Sequence, residues 1–172
     1  MTEAEGTAEK LMVIFDDSPG TRRAVDYVTR MIGCQPGFHV YLMQLLPPLP
    51  AELLEFGGAE DPRQEQNLQA ELHRDQQNWI ASVKAPARPA LSYAIDALRG
   101  AGLFTYEIEL KCTDPKDDRD ITVALLNQVR AMGCQTIVVG HESHLWFRKV
   151  AGAPLTERLL RHASEFTLWV VH

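Results

Sequence analysis

The chain has 172 residues, 45% of them hydrophobic and 23% charged, the balance of an ordinary globular protein. That length suggests one domain with enough chain to build a proper core. A net charge of −6 disfavours broad electrostatic attachment to nucleic acid or to an anionic membrane.

The N-terminus (MTEAEGTAEK) is polar and acidic and lacks an apolar h-region, so no signal peptide is visible. Residues 1–9 are expected to be flexible, ahead of a single domain over 10–172. No apolar stretch reaches the roughly 18–20 residues that a membrane span needs, and a cytoplasmic location is expected. The three cysteines, Cys34, Cys112 and Cys134, show no CxxC spacing and read as buried or incidental thiols.

LMVIFD (11–16) reads as the first strand. Ser18-Pro19 follows, a capping hydroxyl and then proline at the first helical position. The helix should run to about Ile32 with Ala24, Val25, Val28 and Met31/Ile32 as its apolar stripe, and Gly33 stops it. FHVYLMQLL (38–46) is the second strand, ended by Pro47, Pro48 and Pro50.

The stretch over 47–103 reads as an extended insertion. Its start, with Gly57-Gly58 and Asp61-Pro62, looks irregular. A helix is predicted from Arg63 to about Lys84, with a sparse stripe of Leu68, Leu72, Trp79, Ile80 and Val83. Pro86 and Pro89 force a break or kink, and ALSYAIDALRGAG gives a second helical piece ending at Gly100/Gly102. FTYEIELK (104–111) alternates apolar and polar residues, as an edge strand does. Thr113-Asp114-Pro115 leads into a helix carrying Ile121, Leu125, Val129 and Met132 on one face. QTIVVG, PLTERLLRHAS and FTLWVV complete the chain as strand, helix and strand.

Strands that are apolar throughout and alternate with helices imply a parallel α/β sheet covered on both faces. Such sheets hold ligands outside the carboxyl ends of their strands, where strand order reverses. Asp16 and the loop after Gly140 belong at that edge.

From LMVIFDDSPGTRRAVDYVTRM through HVYLMQLLPPLP to GCQTIVVGHESHLWFRKVAGAPLTERLLRHASEFTLWVVH, the chain resembles the universal stress protein family. The resemblance implies a five-stranded Rossmann-like sheet of the adenine nucleotide alpha hydrolase type, in the order 3-2-1-4-5. It also implies a homodimer, often joined through the last strand. Residues 166–171 suit that role, because an apolar edge strand invites pairing with its twin.

Family members that bind adenine nucleotides carry G-x2-G-x9-G-(S/T) after the fourth strand. Glycines there let backbone N–H groups approach phosphate oxygens, and a helix N-terminus adds favourable partial charge. In this chain the positions are Gly140, Ser143 and Ala153, with Gly152 one residue earlier. Pro154 stands where the hydroxyl residue is expected and supplies neither hydroxyl nor N–H. Thr156 matches a hydroxyl at the family's loop–helix junction, Asp16 the acidic residue at the end of the first strand, and Leu45 an apolar neighbour of the adenine.

The glycine loop is therefore degenerate. It carries instead His141, Glu142, His144, Trp146, Arg148 and Lys149, a solvated loop or one whose cations replace lost backbone donors. HxxH on a loop is weak evidence for a metal, and no metal site or catalytic set is assigned. No Walker A pattern, G-x-S-x-G elbow or HExxH helix occurs, and Asp16-Asp17-Ser18-Pro19-Gly20 departs from the S-G-G-x-D-S loop of adenylating relatives. The expectation is a non-enzymatic stress-response or signalling dimer with an unknown protein partner and with nucleotide binding weak or absent. The alternative is a conformational switch that binds ATP, ADP or AMP through the loop after Gly140.

Overall fold

The computed structural model describes residues 8–16, 18–47, 49–54, 61–111, 118–141 and 154–172, with nothing said of the side chains at 111 and 118–120. Its strands are β1 (Glu9–Phe15), β2 (Phe38–Leu46), β3 (Phe104–Lys111), β4 (Thr136–Gly140) and β5 (Thr167–Val171). They form one sheet in the order β3-β2-β1-β4-β5, and every pair is parallel. Strand β1 starts at Glu9, inside the segment expected to be flexible. Its register sets Glu9 beside Phe38, and Glu9 N–H donates to Gly37 C=O at 2.8 Å, so pairing with β2 recruits two polar residues.

The helices are α1 (Pro19–Ile32), α2 (Pro62–Lys84), α3 (Arg88–Gly100), α4 (Asp118–Ala131) and α5 (Leu155–His162). Right-handed crossovers place α1 and α3 on one sheet face and α4 and α5 on the other. The first face packs Leu11, Val13 and Phe15 of β1 against Ala24, Val25, Val28, Ala94 and Leu98. The second packs Met12 and Ile14 against Leu125, Val129, Leu155 and Leu159. Successive side chains of β1 thus point into opposite cores, which is why Leu11–Phe15 is apolar without interruption.

Local chemistry sets the helix ends. Ser18 caps α1 by accepting from Thr21 N–H at 3.3 Å, with Pro19 in the first turn. At the other end Gly33 N–H donates to Thr29 C=O, and a Cβ on Gly33 would meet that oxygen at 2.2 Å. Asp61 caps α2 through Arg63 N–H at 2.9 Å.

Within the long connection, the irregular stretch around Gly57-Gly58 lies outside the described residues. At Pro86 and Pro89 a single 3-10 turn (Ala85–Ala87) joins α2 to α3, which starts at Arg88. Proline is tolerated in a first helical turn, where its missing N–H would have no partner. Helix α2 buries none of its residues fully, and Leu68 is 43% exposed. It is fastened at points: Gln76 Nε2 donates to Leu53 C=O at 2.8 Å, and Lys84 pairs with Glu109 of β3.

Candidate functional site

The chain leaves β1 at Phe15, and Asp16 turns it into α1. One carboxylate oxygen, Asp16 Oδ1, accepts from Ser18 N–H at 3.0 Å, from Thr21 Oγ1 at 2.6 Å and from Ser18 Oγ. Asp16 N–H in turn donates to Thr21 Oγ1 at 3.2 Å. This reciprocal pair ties the strand end to the first turn of the helix, and its acceptor is a charged oxygen, the stronger kind.

Gly140 closes β4 beside the same turn. A Cβ built on it would lie 2.3 Å from the carbonyl carbon of Gly20, 2.5 Å from that carbonyl's oxygen and 2.7 Å from Thr21 N. The end of β4 therefore abuts the N-terminus of α1 at a distance that only glycine permits. Asp16, Thr21, Gly20 and Gly140 make one contiguous corner at the carboxyl edge of β1 and β4.

Leu45 lies deeper, 9% exposed and packed with Ile14 and Met43 in the α4/α5 core. Thr156, in the first turn of α5, is 6% exposed, and its Oγ1 has no hydrogen-bond partner among the described residues. Pro154 occupies the cap position of this helix without a side-chain cap bond. Ser143, Gly152 and Ala153 lie outside the described residues, as do His144, Trp146, Arg148 and Lys149. Next to Gly140, His141 donates its N–H to Val171 C=O at 2.8 Å, and its ring meets that of His172 at 4.3 Å between centroids. Among the described residues no group of three His, Cys, Asp or Glu could hold a metal ion, and no helix is long and apolar enough to cross a membrane.

Two residues of this corner escaped the sequence reading. Thr21 was visible as the third residue after the cap Ser18, a spacing that brings its hydroxyl back toward the strand end. Gly20 had no local signal, because its contact with Gly140 exists only once β1 and β4 are neighbours.

Elsewhere, burial pushes the Cys134 thiol up to about 11, whereas Cys34 is exposed. A hydrogen bond from Arg130 holds the Glu165 carboxyl below its ordinary value.

Comparisons with known proteins are consistent with this architecture. No curated protein matches the chain. Among solved structures, a universal stress protein in complex with cAMP aligns at 18% identity and a TM-score of 0.55, over 97% of this chain and 99% of that one. The universal stress protein from Archaeoglobus fulgidus in complex with dAMP aligns at 16% and 0.53, over 96% and 99%. A family protein from Arabidopsis thaliana with AMP bound aligns at 16% and 0.54, over 95% and 90%. At these identities the structures share the fold. Residues 7–172 match the model of the universal stress protein family, and with nearly the whole chain covered this protein belongs to that family.

Proposed function

We propose that this protein is a stress-response or signalling module that works as a homodimer, docks a protein partner and needs neither nucleotide nor catalysis. The observation that carries this reading is the contrast between the two edges of the sheet. Edge strand β3 presents Glu107 and Glu109. If β3 paired antiparallel with its twin, a glutamate would face a glutamate, a destabilising arrangement. Edge strand β5 reads TLWVV, with no charge and with Leu168, Trp169, Val170 and Val171 half-buried. Beside it Leu160 is 66% exposed, on the flank of α5 opposite Arg158 and His162, which face α4. Pairing β5 with its twin around Trp169 would cover both.

The positions associated with nucleotide in the family support the same reading. The Asp16 carboxylate caps α1, Gly140 accommodates Gly20, and Leu45 fills the core. Each of these residues has a sufficient structural reason to be present.

Sedimentation of Leu160→Glu tests the reading, since this exposed residue can change without disturbing the core. Mass should fall toward the monomer, while Thr105→Lys on the opposite edge leaves it unchanged. Equal masses for wild type and Leu160→Glu would defeat the β5 interface.

One observation favours the second reading, an ATP- or AMP-binding switch. The buried Thr156 hydroxyl, without a partner among the described residues and in the first turn of a helix that Pro154 does not cap by a side chain, would suit a phosphate oxygen, and leaving it unsatisfied costs about 1–3 kcal/mol. Complexes of the neighbours with dAMP and AMP lend it weight. Calorimetry of nucleotide-stripped protein with ATP, ADP and AMP, with and without magnesium, decides it: heat that vanishes in Thr156→Val supports the switch.

A further inference from the structure

A groove of about 500 Å³ runs between α4 and α5, and neither Asp16 nor Gly140 is among its described lining residues. Helix α4 contributes Thr122, Val123, Leu126 and Arg130, and α5 contributes Arg158 and His162. Spacings of four along each helix (122, 126, 130 and 158, 162) set these side chains along the seam between the two. Its floor is closed, with Thr122 2% and Leu126 4% exposed, and Val123 stands 52% exposed at the rim. A volume of this size lies in the roughly 300–1,000 Å³ range of small-molecule sites, which combine apolar walls with a few placed polar groups.

Among the described lining residues the polar side chains are Thr122, Arg130, Arg158 and His162. Arg158 is 9% exposed, and its Nε donates to Thr122 Oγ1 at 3.0 Å, which fixes the guanidinium at one end of the groove. Arg130 and His162 close the other end. In a chain of net charge −6 this sets two arginines along one groove. One carboxylate already rests there: Arg130 Nε donates to Glu165 Oε1 at 2.9 Å, and Nη1 donates to Asn127 Oδ1 at 2.7 Å. Both members of the Arg130–Glu165 pair keep nearly half their side-chain surface in water, so exchanging Glu165 for another carboxylate costs little.

We propose that the α4–α5 groove binds a small amphiphilic carboxylate, its apolar body against Val123 and Leu126 and its head on Arg130 in place of Glu165. The inference is independent of whether the carboxyl edge of the sheet binds nucleotide. Octanoate is the probe, and octan-1-ol, with the same chain and no charge, is the control. Both are titrated into the full chain and followed by amide chemical shifts. Octanoate should shift amides of α4 and α5 saturably and bind a few-fold more tightly than octan-1-ol, the scale of an ion pair on a half-exposed arginine.

Three exposed substitutions sharpen the test. Val123→Trp should abolish binding by filling the groove, Arg130→Gln should weaken it a few-fold to the level of octan-1-ol, and Glu165→Gln should tighten it by removing the competing carboxylate. Equal binding of octan-1-ol, shifts mapped elsewhere, or a Val123→Trp protein that binds as wild type would each overturn the proposal.

Discussion

Gly140→Ala tests the packing at the corner of β1, β4 and α1. The added methyl would sit 2.3 Å from the Gly20 carbonyl carbon, against an ordinary contact limit of 3.4 Å, so about 1.1 Å of displacement is needed. The obstructing atoms are backbone, part of a helix turn that Asp16 and Thr21 clamp from the other side, and cannot rotate away. Overpacking of this kind costs roughly 1–3 kcal/mol, and a rigid obstacle puts the expected loss at the upper end. Urea denaturation followed by circular dichroism reads it as a lower midpoint at unchanged slope. Gly100→Ala is the control: it ends α3 with nothing within 4 Å of the new methyl, and should be neutral or stabilising by up to about 1 kcal/mol. A Gly140→Ala protein as stable as wild type would refute the argument that Gly140 is held by packing.

Asp16→Ala removes the acceptor of Ser18 N–H and Thr21 Oγ1 and should cost about 1–3 kcal/mol in the same assay with no nucleotide present, whereas unchanged stability would point to a ligand role instead. Thiol labelling in a Cys112→Ser background should modify Cys34 quickly and Cys134 only on unfolding, because Cys134 is buried and its pKa is raised to about 11. Labelling of both at one rate would contradict that burial. The Arg130–Glu165 pair gives a pH signature. Glu165 has its carboxyl lowered from 4.5, so its contribution is present above that value and is lost as pH falls through the folded value. The difference in melting temperature between wild type and Arg130→Gln should therefore be steady near neutrality and close in acid; a difference that widened in acid would reverse the assignment.

Much of the fold was legible because burial on two faces leaves a plain trace. LMVIF and IVVG are apolar at every position, as only strands covered on both sides need to be. Ser18-Pro19 and Gly33 marked both ends of α1 for local reasons. What sequence could not give was anything set by a distant neighbour. Glu9 and Lys10 join β1 because Phe38 and His39 pair with them, not because they are strand-like. Asp16 was recognisable as the acidic residue at a strand end, but its engagement with Thr21 required the helix to be in place. The exposure of Leu160 had no signal, since in an amphipathic stretch such as ERLLRHA a leucine at 159 and one at 160 look alike. Only the first of them reaches the core.

Sedimentation equilibrium of nucleotide-stripped protein, run with and without millimolar ATP, tests the central claim most directly. The account predicts twice the 19.3 kDa chain mass in both conditions. A monomer that becomes a dimer only when ATP is added would contradict it and make the nucleotide the switch.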